Sequence, residues 1–328
     1  MIIVTGGAGF IGSNILAGLQ DRGFADLVAV DWMGTGDKWK NIAKRELNAI
    51  IAPEQLEEFL SHNRGRIDAI IHMGAISTTT ETDVDLIVRS NQQLTWRLWE
   101  YCRDNDVRFI YASSAATYGA GENGFEDRDD LDYLNALRPL NPYGWSKAFI
   151  DRRVARELQM HRATPPQHVG LKFFNVYGPN EYHKGGQKSV VAHIFPDIMA
   201  GRPVRLFKSY NPDFADGMQL RDFVWVGDIV DVIIWLMDNP GVSGLFNVGS
   251  GAARSFYDLA VAAAAAASRD AIIEFVDMPE SLREKYQYYT RANIAKLRAA
   301  GYIAPMTSLE DGVTKYVRQY LMQPDIYA

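Results

Sequence analysis

The feature that most constrains this chain is a glycine-rich turn directly after its first apolar run. Ile2-Ile3-Val4 leads into Thr5-Gly6-Gly7-Ala8-Gly9-Phe10-Ile11-Gly12, and apolar residues at helical spacing follow. Glycines let the backbone approach a pyrophosphate, whose charge is favoured at a helix N-terminus. Because a strand precedes the turn and a helix follows it, the pattern predicts a dinucleotide-binding turn. The predicted contacts are Gly6, Gly9, Phe10, Ile11 and Gly12.

Short β-branched runs alternate with longer helical patterns through the first half of the chain. Such alternation is typical of an α/β fold with helices on both faces of a parallel sheet. We therefore expect a doubly wound parallel Rossmann sheet with a smaller, sequence-interleaved α/β substrate domain. The predicted strands are Ile2–Thr5, Leu27–Asp31, Ala69–Met73, Arg108–Ala112 and Val169–Phe173, with returns to the sheet at Val224–Val226 and Gly244–Val248.

The pattern changes after Asn175, where glycines and prolines break the chain into short pieces. Such a segment is typical of a lid and a substrate pocket. We expect residues 1–173 and 219–248 to form the dinucleotide-binding domain. Residues 174–218 and 249–328 are expected to form the substrate-binding domain.

Composition narrows the partners and the compartment. The 328 residues carry a formal net charge of -6, which provides no general surface for nucleic acid. The single cysteine, Cys102, cannot form an intramolecular disulfide and has no metal-ligand spacing around it, so we expect a reducing compartment and no metal site. No export signal is recognisable at Met1, and apolar runs such as Ala262–Ala267 are too short for a bilayer. We expect a cytoplasmic protein with no membrane partner.

The residues after the second predicted strand bear on the choice of dinucleotide. Asp31 ends that strand, where a carboxylate accepts hydrogen bonds from the adenosine ribose and repels a 2′-phosphate, which favours NAD. Lys38 and Lys40 follow in a loop that can supply positive charge for a phosphate, which favours NADP. The residues alone leave both cofactors open. The segment His72–Ser77 is expected to pass beside the cofactor phosphates and ribose.

A tyrosine and a lysine one helical turn apart provide the candidate chemistry. Asn141-Pro142 is a helix-start signal, so Tyr143 and Lys147 are expected on one face of the helix. A nearby ammonium favours a phenolate, and the same lysine can hold the nicotinamide ribose. Ser114 ends the fourth predicted strand and can hydrogen-bond a substrate hydroxyl and Tyr143. Together these groups are typical of a dehydrogenase site.

The glycine turn with this serine, tyrosine and lysine resembles the extended short-chain dehydrogenase/reductase family over nearly the whole chain. Four motifs look like the heptose 6-epimerase branch of that family, and the last two of them are the most specific. These motifs are Ser113–Gly119, Phe174–Pro179, Glu181–Gly185 and Leu297–Tyr302. The resemblance implies epimerisation of an ADP-linked heptose at C6 through transient oxidation.

The resemblance also implies roles for single residues. Tyr143 and Lys184 become the two acid/base groups on either side of the reacting carbon, because stereochemistry inverts only if hydride returns to the other face. Lys38 becomes a 2′-phosphate contact, which favours NADP with NAD as the alternative, and a ring-like homo-oligomer, a pentamer, is expected. Further implied cofactor contacts are Trp32, Met73, Gly74, Ala75, Ile76, Ser77, Asn91, Lys147, Val176 and Lys184. Implied substrate contacts are Ser114, Asn175, Gly186, His193, Phe207, Arg221 and Tyr286.

Several alternatives stay open at this point. A UDP-hexose 4-epimerase or a redox-silent NADP-binding regulator has the same fold, whereas a 4,6-dehydratase needs an acidic pair where Ala115-Ala116 stands. Arg221 is either a bidentate clamp for a diphosphate or the partner of Asp222 in a surface ion pair. The chain departs from the branch at Pro53, where the branch has a lysine, and in a longer loop over 210–218.

Overall fold

The computed structural model of the protein describes residues 1–283 and 286–328. Over these residues, strands and helices alternate. The strands are β1 (Ile2–Thr5), β2 (Leu27–Val30), β3 (Ala49–Ile51), β4 (Ala69–His72), β5 (Arg108–Ser114), β6 (His168–Phe173), β7 (Asn175–Tyr177), β8 (Val204–Phe207), β9 (Leu220–Trp225), β10 (Gly244–Val248), β11 (Ala253–Ser255) and β12 (Ile273–Val276). The α-helices are α1 (Phe10–Asp21), α2 (Leu56–His62), α3 (Val84–Ile87), α4 (Leu94–Asp104), α5 (Leu131–Ala136), α6 (Pro142–Gln159), α7 (Val190–Met199), α8 (Val226–Asp238), α9 (Phe256–Ala266), α10 (Glu280–Arg283), α11 (Ala295–Ala299) and α12 (Leu309–Tyr316).

A parallel sheet in the order β10-β6-β5-β4-β1-β2-β3 forms the centre of the molecule. Its strands β1, β2 and β4 are buried along their whole length, as expected for parallel strands covered by helices on both faces. Because β1 lies between β2 and β4, the strand order reverses beside β1. Ligands of such sheets bind in the crevice at the carboxyl ends of the strands flanking this reversal. The predicted doubly wound Rossmann sheet is confirmed.

The five predicted strands of the first half are present, and Gly244–Val248 joins the sheet beside β6. The short edge strand Ala49–Ile51 is an additional member that the sequence did not reveal. The prediction that Val224–Val226 returns to this sheet is wrong. The strand there is Leu220–Trp225, it pairs with β7 and β11 in a separate three-stranded sheet, and Val226 begins α8. An apolar run predicts a buried strand but does not identify its partner.

A second hydrophobic core lies around this smaller sheet. It gathers side chains from β9, α7, α9 and α12, and Phe10 from the glycine turn packs into it as well. Residues of both cores therefore meet beside the carboxyl end of β1. The division into residues 1–173 and 219–248 on one side and 174–218 and 249–328 on the other stays a prediction. Within residues 1–283 and 286–328, none of the helices has the length and apolar character that crossing a membrane would require.

Candidate active site

The glycine turn is built so tightly that side chains are excluded from it. Gly6 has a φ of 65°, in the left-handed region that favours glycine. A Cβ atom at Gly6 would lie 2.7 Å from the backbone nitrogen of Gly74, so the turn and the end of β4 are in close contact. A Cβ atom at Gly12 would clash with the carbonyl oxygen of Gly6. The turn therefore presents backbone rather than side chains to the cleft.

Helix α1 begins at this turn and is free to receive an anion. Its N-cap residue, Gly9, provides no side-chain cap, and the first turn contains no acidic residue. The N–H groups of a first helical turn have no acceptor within the helix, and they favour a phosphate at this position. The arrangement therefore fits the diphosphate of a dinucleotide.

The second strand ends in a carboxylate that is already paired. Lys38 Nζ lies 2.6 Å from Asp31 Oδ1, while Asp31 Oδ2 accepts a hydrogen bond of 3.0 Å from the Ala8 backbone. Lys40 pairs with Asp37 at 3.1 Å instead. Lys38 therefore compensates the negative charge of Asp31 at this end of the cleft.

Asn91 stabilises the loop after β4 by hydrogen bonds on the side of the loop away from the cleft. Its side-chain amide donates to the Ile76 carbonyl at 2.9 Å and accepts from the Ile76 N–H at 2.8 Å. It also donates to Ser146 Oγ at 3.0 Å, which ties the loop to α6. Asn91 is fully buried and does not line the cleft. Its structural role is to position the loop 73–77.

The serine, tyrosine and lysine come together at the carboxyl end of β5. Asn141 caps α6 by accepting a hydrogen bond of 2.8 Å from the Gly144 N–H. Helix α6 then directs Tyr143 and Lys147 into the cleft that Ser114 also lines. Burial raises the pKa of Tyr143, and its hydrogen bond with Ser114 opposes this effect. The phenol is therefore protonated at neutral pH before ligands bind.

Lys147 is only 3% exposed, and burial makes its charged ammonium form less favourable. Burial lowers its pKa to about 8, while the charge of Asp151, one turn further along α6, acts in the other direction. The side chain can therefore lose its charge within a pH range accessible to assays. The phenol of Tyr143 and this ammonium face the same cavity.

Lys184 reaches the same cavity from a different part of the chain. It lies on the 3-10 segment Tyr182–Gln187, which is interrupted at Gly185 with a φ of 55°. Burial lowers the pKa of Lys184, and Glu181 opposes that change. Its Nζ lies 5.5 Å from the ring centre of Phe10, beside the N-terminus of α1. The two predicted acid/base groups thus share one cleft with the glycine turn.

This cleft has a volume of about 840 Å³. It extends from the glycine turn to the second core and is large enough for more than one small ligand. Most of the predicted site residues line it. They are Gly6, Gly9, Phe10, Ile11, Gly12, Asp31, Trp32, Lys38, Met73, Gly74, Ala75, Ile76, Ser77, Ser114, Tyr143, Lys147, Asn175, Val176 and Lys184.

Five predicted substrate contacts lie outside this lining, in two groups. His193 Nε2 lies 3.2 Å from the carbonyl oxygen of Gly186. Phe207 and Tyr286 form an edge-to-face pair with ring centres 6.5 Å apart, and the Arg221 guanidinium lies 5.2 Å from the Tyr286 ring centre. This second group adjoins the cleft through Phe256, which lines it.

Arg221 is not the partner of its neighbour in an ion pair. Among the described residues, no carboxylate oxygen lies within 4 Å of its guanidinium. Asp222 is instead occupied by Ser250, by the Gly251 N–H at 3.0 Å and by the Ala292 N–H at 2.9 Å. Arg221 is 7% exposed, and burial lowers its pKa. The guanidinium donates to the backbone carbonyls of Leu220 and Gln287, which leave its positive charge uncompensated, and such a charge is suited to an anionic ligand.

His183 also lines the cleft, although no role was predicted for it. Its Nδ1 lies 3.1 Å from Asn41 Nδ2, and that amide also donates to the carbonyls of Ala8 and Asn180 at 2.8 and 3.0 Å. Asn41 therefore ties the glycine turn to the segment that carries Lys184. The only signal in the sequence was the position of His183 directly before that lysine.

Known proteins similar to this chain are enzymes that act on nucleotide sugars. A model of the NAD dependent epimerase/dehydratase family matches residues 2–249. The ADP-L-glycero-D-manno-heptose-6-epimerase of Fusobacterium nucleatum is 47% identical over an alignment that covers 100% of both chains. The protein of the same name from Nitratidesulfovibrio vulgaris strain DP4 is 48% identical over 99% of both chains.

Solved structures give the same picture. The Helicobacter pylori ADP-L-glycero-D-manno-heptose-6-epimerase has a TM-score of 0.76 at 28% identity, covering 97% of this chain and 95% of that one. The Thermus thermophilus UDP-glucose 4-epimerase, solved with NAD, has a TM-score of 0.73 at 25% identity, covering 96% and 97%. In each case the similarity extends over both cores rather than over the Rossmann sheet alone.

Proposed function

This chain belongs to the NAD dependent epimerase/dehydratase family, and we propose on that basis that it inverts C6 of ADP-glycero-manno-heptose. The reaction interconverts the ADP-linked D-glycero-D-manno and L-glycero-D-manno heptoses, which are precursors of the lipopolysaccharide core. Full-length relatives at 47% and 48% identity bear that enzyme name. The observation that carries the proposal is that Tyr143 and Lys184 line one cleft with the glycine turn.

The chemistry follows from two acid/base groups around one carbon. A nicotinamide dinucleotide held by the glycine turn and Lys147 would supply the acceptor and donor for a hydride at C6. Either Tyr143 or Lys184 takes the proton of the C6 hydroxyl, and after the carbonyl intermediate has reoriented, the other group protonates its oxygen. Ser114 hydrogen-bonds the reacting oxygen, and Lys147 provides positive charge beside Tyr143. No net oxidation of the substrate results.

Remaining side chains are proposed to hold the sugar nucleotide. Arg221 is assigned to the diphosphate, because a buried guanidinium can bind two of its oxygens by parallel hydrogen bonds. Asn175 lines the cleft and is assigned to the sugar. The other assigned substrate contacts are Gly186, His193, Phe207 and Tyr286.

NADP is the proposed cofactor. Support comes from the Lys38–Asp31 pair, in which the ammonium compensates the carboxylate where the adenosine ribose would bind. The test is mass spectrometry of the dinucleotide released when the purified protein is denatured. NADP is expected, whereas NAD in all preparations would contradict this assignment without affecting the proposed epimerisation.

The epimerase proposal is tested by incubating purified protein with each ADP-heptose epimer and following the ratio of the two by NMR. We expect both epimers to reach the same equilibrium mixture without added dinucleotide. No conversion by protein that retains its dinucleotide would reject the proposal. Conversion of UDP-hexoses at C4 instead would favour the 4-epimerase alternative, and binding of dinucleotide without any turnover would favour a redox-silent regulator.

We also propose that the protein works in the cytoplasm as a homo-oligomer, a pentamer. The basis is the single cysteine, which is buried, together with the resemblance of the chain to ring-forming epimerases. Light scattering coupled to size-exclusion chromatography measures the molar mass directly. A mass of one chain across the working concentration range would contradict the oligomer.

A further inference from the structure

A fully buried ion pair lies directly behind the proposed active site. Lys172 Nζ is 2.7 Å from Asp151 Oδ2, and both side chains are 0% exposed. Lys172 is on β6, opposite Ser113 of β5, and Asp151 is on α6. Taking two charges out of water is unfavourable, and well-packed apolar residues would often serve stability as well. We therefore expect the Asp151–Lys172 pair to have a role in addition to stabilising the fold.

The pair is fully connected to its surroundings. Lys172 Nζ also donates to Thr117 Oγ1 at 2.6 Å. Asp151 accepts from Ser113 Oγ at 2.7 Å and from the Tyr111 hydroxyl at 3.2 Å. A buried network in which every member has a partner restricts the elements that carry it to one arrangement. Here those elements are β5, β6, α6 and the 3-10 turn Ala115–Tyr118 after β5.

Each contact of the network lies next to a proposed catalytic group. Asp151 follows Lys147 by one helical turn on α6. Ser113 directly precedes Ser114, and Thr117 Oγ1 donates to the Ser114 carbonyl at 2.8 Å. The ion pair therefore joins the helix that presents Lys147 to the strand end that presents Ser114.

The anionic member of the pair, Asp151, also acts on the charge of Lys147. Among the described residues, the neutral titratable groups near Lys147 or Asp151 include Tyr143 on the same helix, Tyr111, which contacts Asp151, and His72 at the end of β4. Burial raises the pKa of both tyrosines, while burial and the charge of Lys147 lower the pKa of His72 to about 3. Asp151 attracts the Lys147 ammonium. Because the Lys172 ammonium lies 2.7 Å from Asp151, we expect its positive charge to offset part of that attraction.

We propose that Asp151 and Lys172 are positioning residues that hold Ser114 in place and set the charge state of Lys147. This inference rests on the proposed function, in which Lys147 acts as an ammonium beside Tyr143. The two members of the pair have opposite effects on Lys147, since one is an anion next to it and the other is a cation that offsets that anion. A purely structural pair has no such asymmetry.

The test compares Asp151→Asn with Lys172→Met. In each variant, the pH dependence is measured for epimer turnover and, separately, for the Kd of NADPH by its fluorescence. In Asp151→Asn, Lys147 faces only the cation, so the alkaline limb of both profiles should move about one pH unit lower. In Lys172→Met, the uncompensated carboxylate should move the limb about one pH unit higher. Lys172→Arg keeps the charge and should keep the wild-type limb.

Profiles that stay at the wild-type position in both variants, or that move in the same direction, overturn the proposal. If the single variants do not fold, the proposal is tested with Lys172→Arg and with the double variant Asp151→Asn/Lys172→Met. The double variant removes both charges, so its limb should stay near that of the wild type while turnover falls about tenfold through lost positioning. Wild-type turnover in the double variant would overturn the proposal.

Because NADPH binding needs no heptose, the binding profiles test the ion pair independently of the proposed function. If the wild-type protein binds NADPH but does not epimerise the heptose, the proposed function is rejected and the test of the ion pair still holds.

Discussion

Two regions of the cleft present the two proposed acid/base groups in different ways. The helix region consists of the end of β5 and α6, with Ser114, Tyr143 and Lys147. It rests on the 18-residue helix α6 and on the buried Asp151–Lys172 network. Its geometry is therefore supported by the main sheet.

The loop region consists of the segments Asp37–Ile42 and Tyr182–Gln187. Lys184 stands there on a short 3-10 segment, which is broken at Gly185. The segment is anchored at its start, because buried Glu181 accepts hydrogen bonds from Ser189 Oγ at 2.6 Å and from the Tyr316 hydroxyl at 2.9 Å. Asn41 connects the two segments of this region.

The difference in structural support indicates that the two regions have different roles in the proposed reaction. A hydride must leave and return along a defined direction, which favours a rigid support for the groups beside the nicotinamide. The carbonyl intermediate must rotate in the cleft before it is reduced, and this rotation needs space on the side opposite the nicotinamide. A short segment with fewer supporting contacts, such as the one that carries Lys184, is suitable there.

The largest effect is expected in the helix region. Tyr143→Phe removes the phenolic proton and should lower epimer turnover by about 10³-fold, within the usual range for a general acid or base. NADPH binding should stay within a few-fold of wild type, because Lys147 and the glycine turn are untouched. The control is Tyr257→Phe, an exposed tyrosine on α9. Turnover within tenfold of wild type in Tyr143→Phe would contradict its role.

A smaller loss is expected from the loop region. Lys184→Met should lower turnover by about 10²-fold, because one of the two proton transfers loses its group while Tyr143 remains. Lys315→Met, on the exposed face of α12, is the matched control. Equal activity of the Lys184→Met variant and this control would place Lys184 outside the chemistry.

The cofactor end of the loop region is probed by Lys38→Met. Loss of one charge-assisted hydrogen bond should weaken NADP binding about tenfold, and NAD binding should change less. Lys40→Met is the control, since Lys40 pairs with Asp37. Calorimetric titration of both dinucleotides measures the ratio, and an equal loss for NAD and NADP would argue against a 2′-phosphate contact.

The smallest effect is expected at the anchor of the loop region. Burial raises the pKa of Glu181 above its ordinary value of 4.5, so the protonated form is favoured in the folded state. The stability that Glu181 contributes is therefore present at low pH and is lost as the pH rises through the raised value. Glu181→Gln should destabilise the protein by about 1 kcal/mol at pH 5 and by less at pH 8.

Urea unfolding at the two pH values measures this difference. Glu58→Gln, on the exposed face of α2, is the control and should show no dependence on pH. Turnover of Glu181→Gln should fall less than tenfold, because Lys184 itself remains. A larger destabilisation at pH 8 than at pH 5 would have the wrong sign for a carboxyl with a raised pKa.

Much of the helix region was accessible from the sequence. Tyr143 and Lys147 are one helical turn apart, and the helix-start signal Asn141-Pro142 specified where that turn begins. The loop region was accessible only through family resemblance, because a lysine before two glycines has no periodicity to interpret. The strand around Val224 shows the same limit, since its apolar character was predicted correctly and its sheet was not.

Local residue patterns were enough to specify the glycine turn with its strand and helix, and the tyrosine and lysine on one face of α6. These depend on backbone geometry over a few residues, which local side chains control. The folded structure was needed to establish that Lys38 neutralises Asp31, that Asp151 and Lys172 pair, and that Lys184 joins Tyr143 in one cleft. The latter two bring together separate elements of the fold, and none of the three is specified by local periodicity. They depend on how the layers pack.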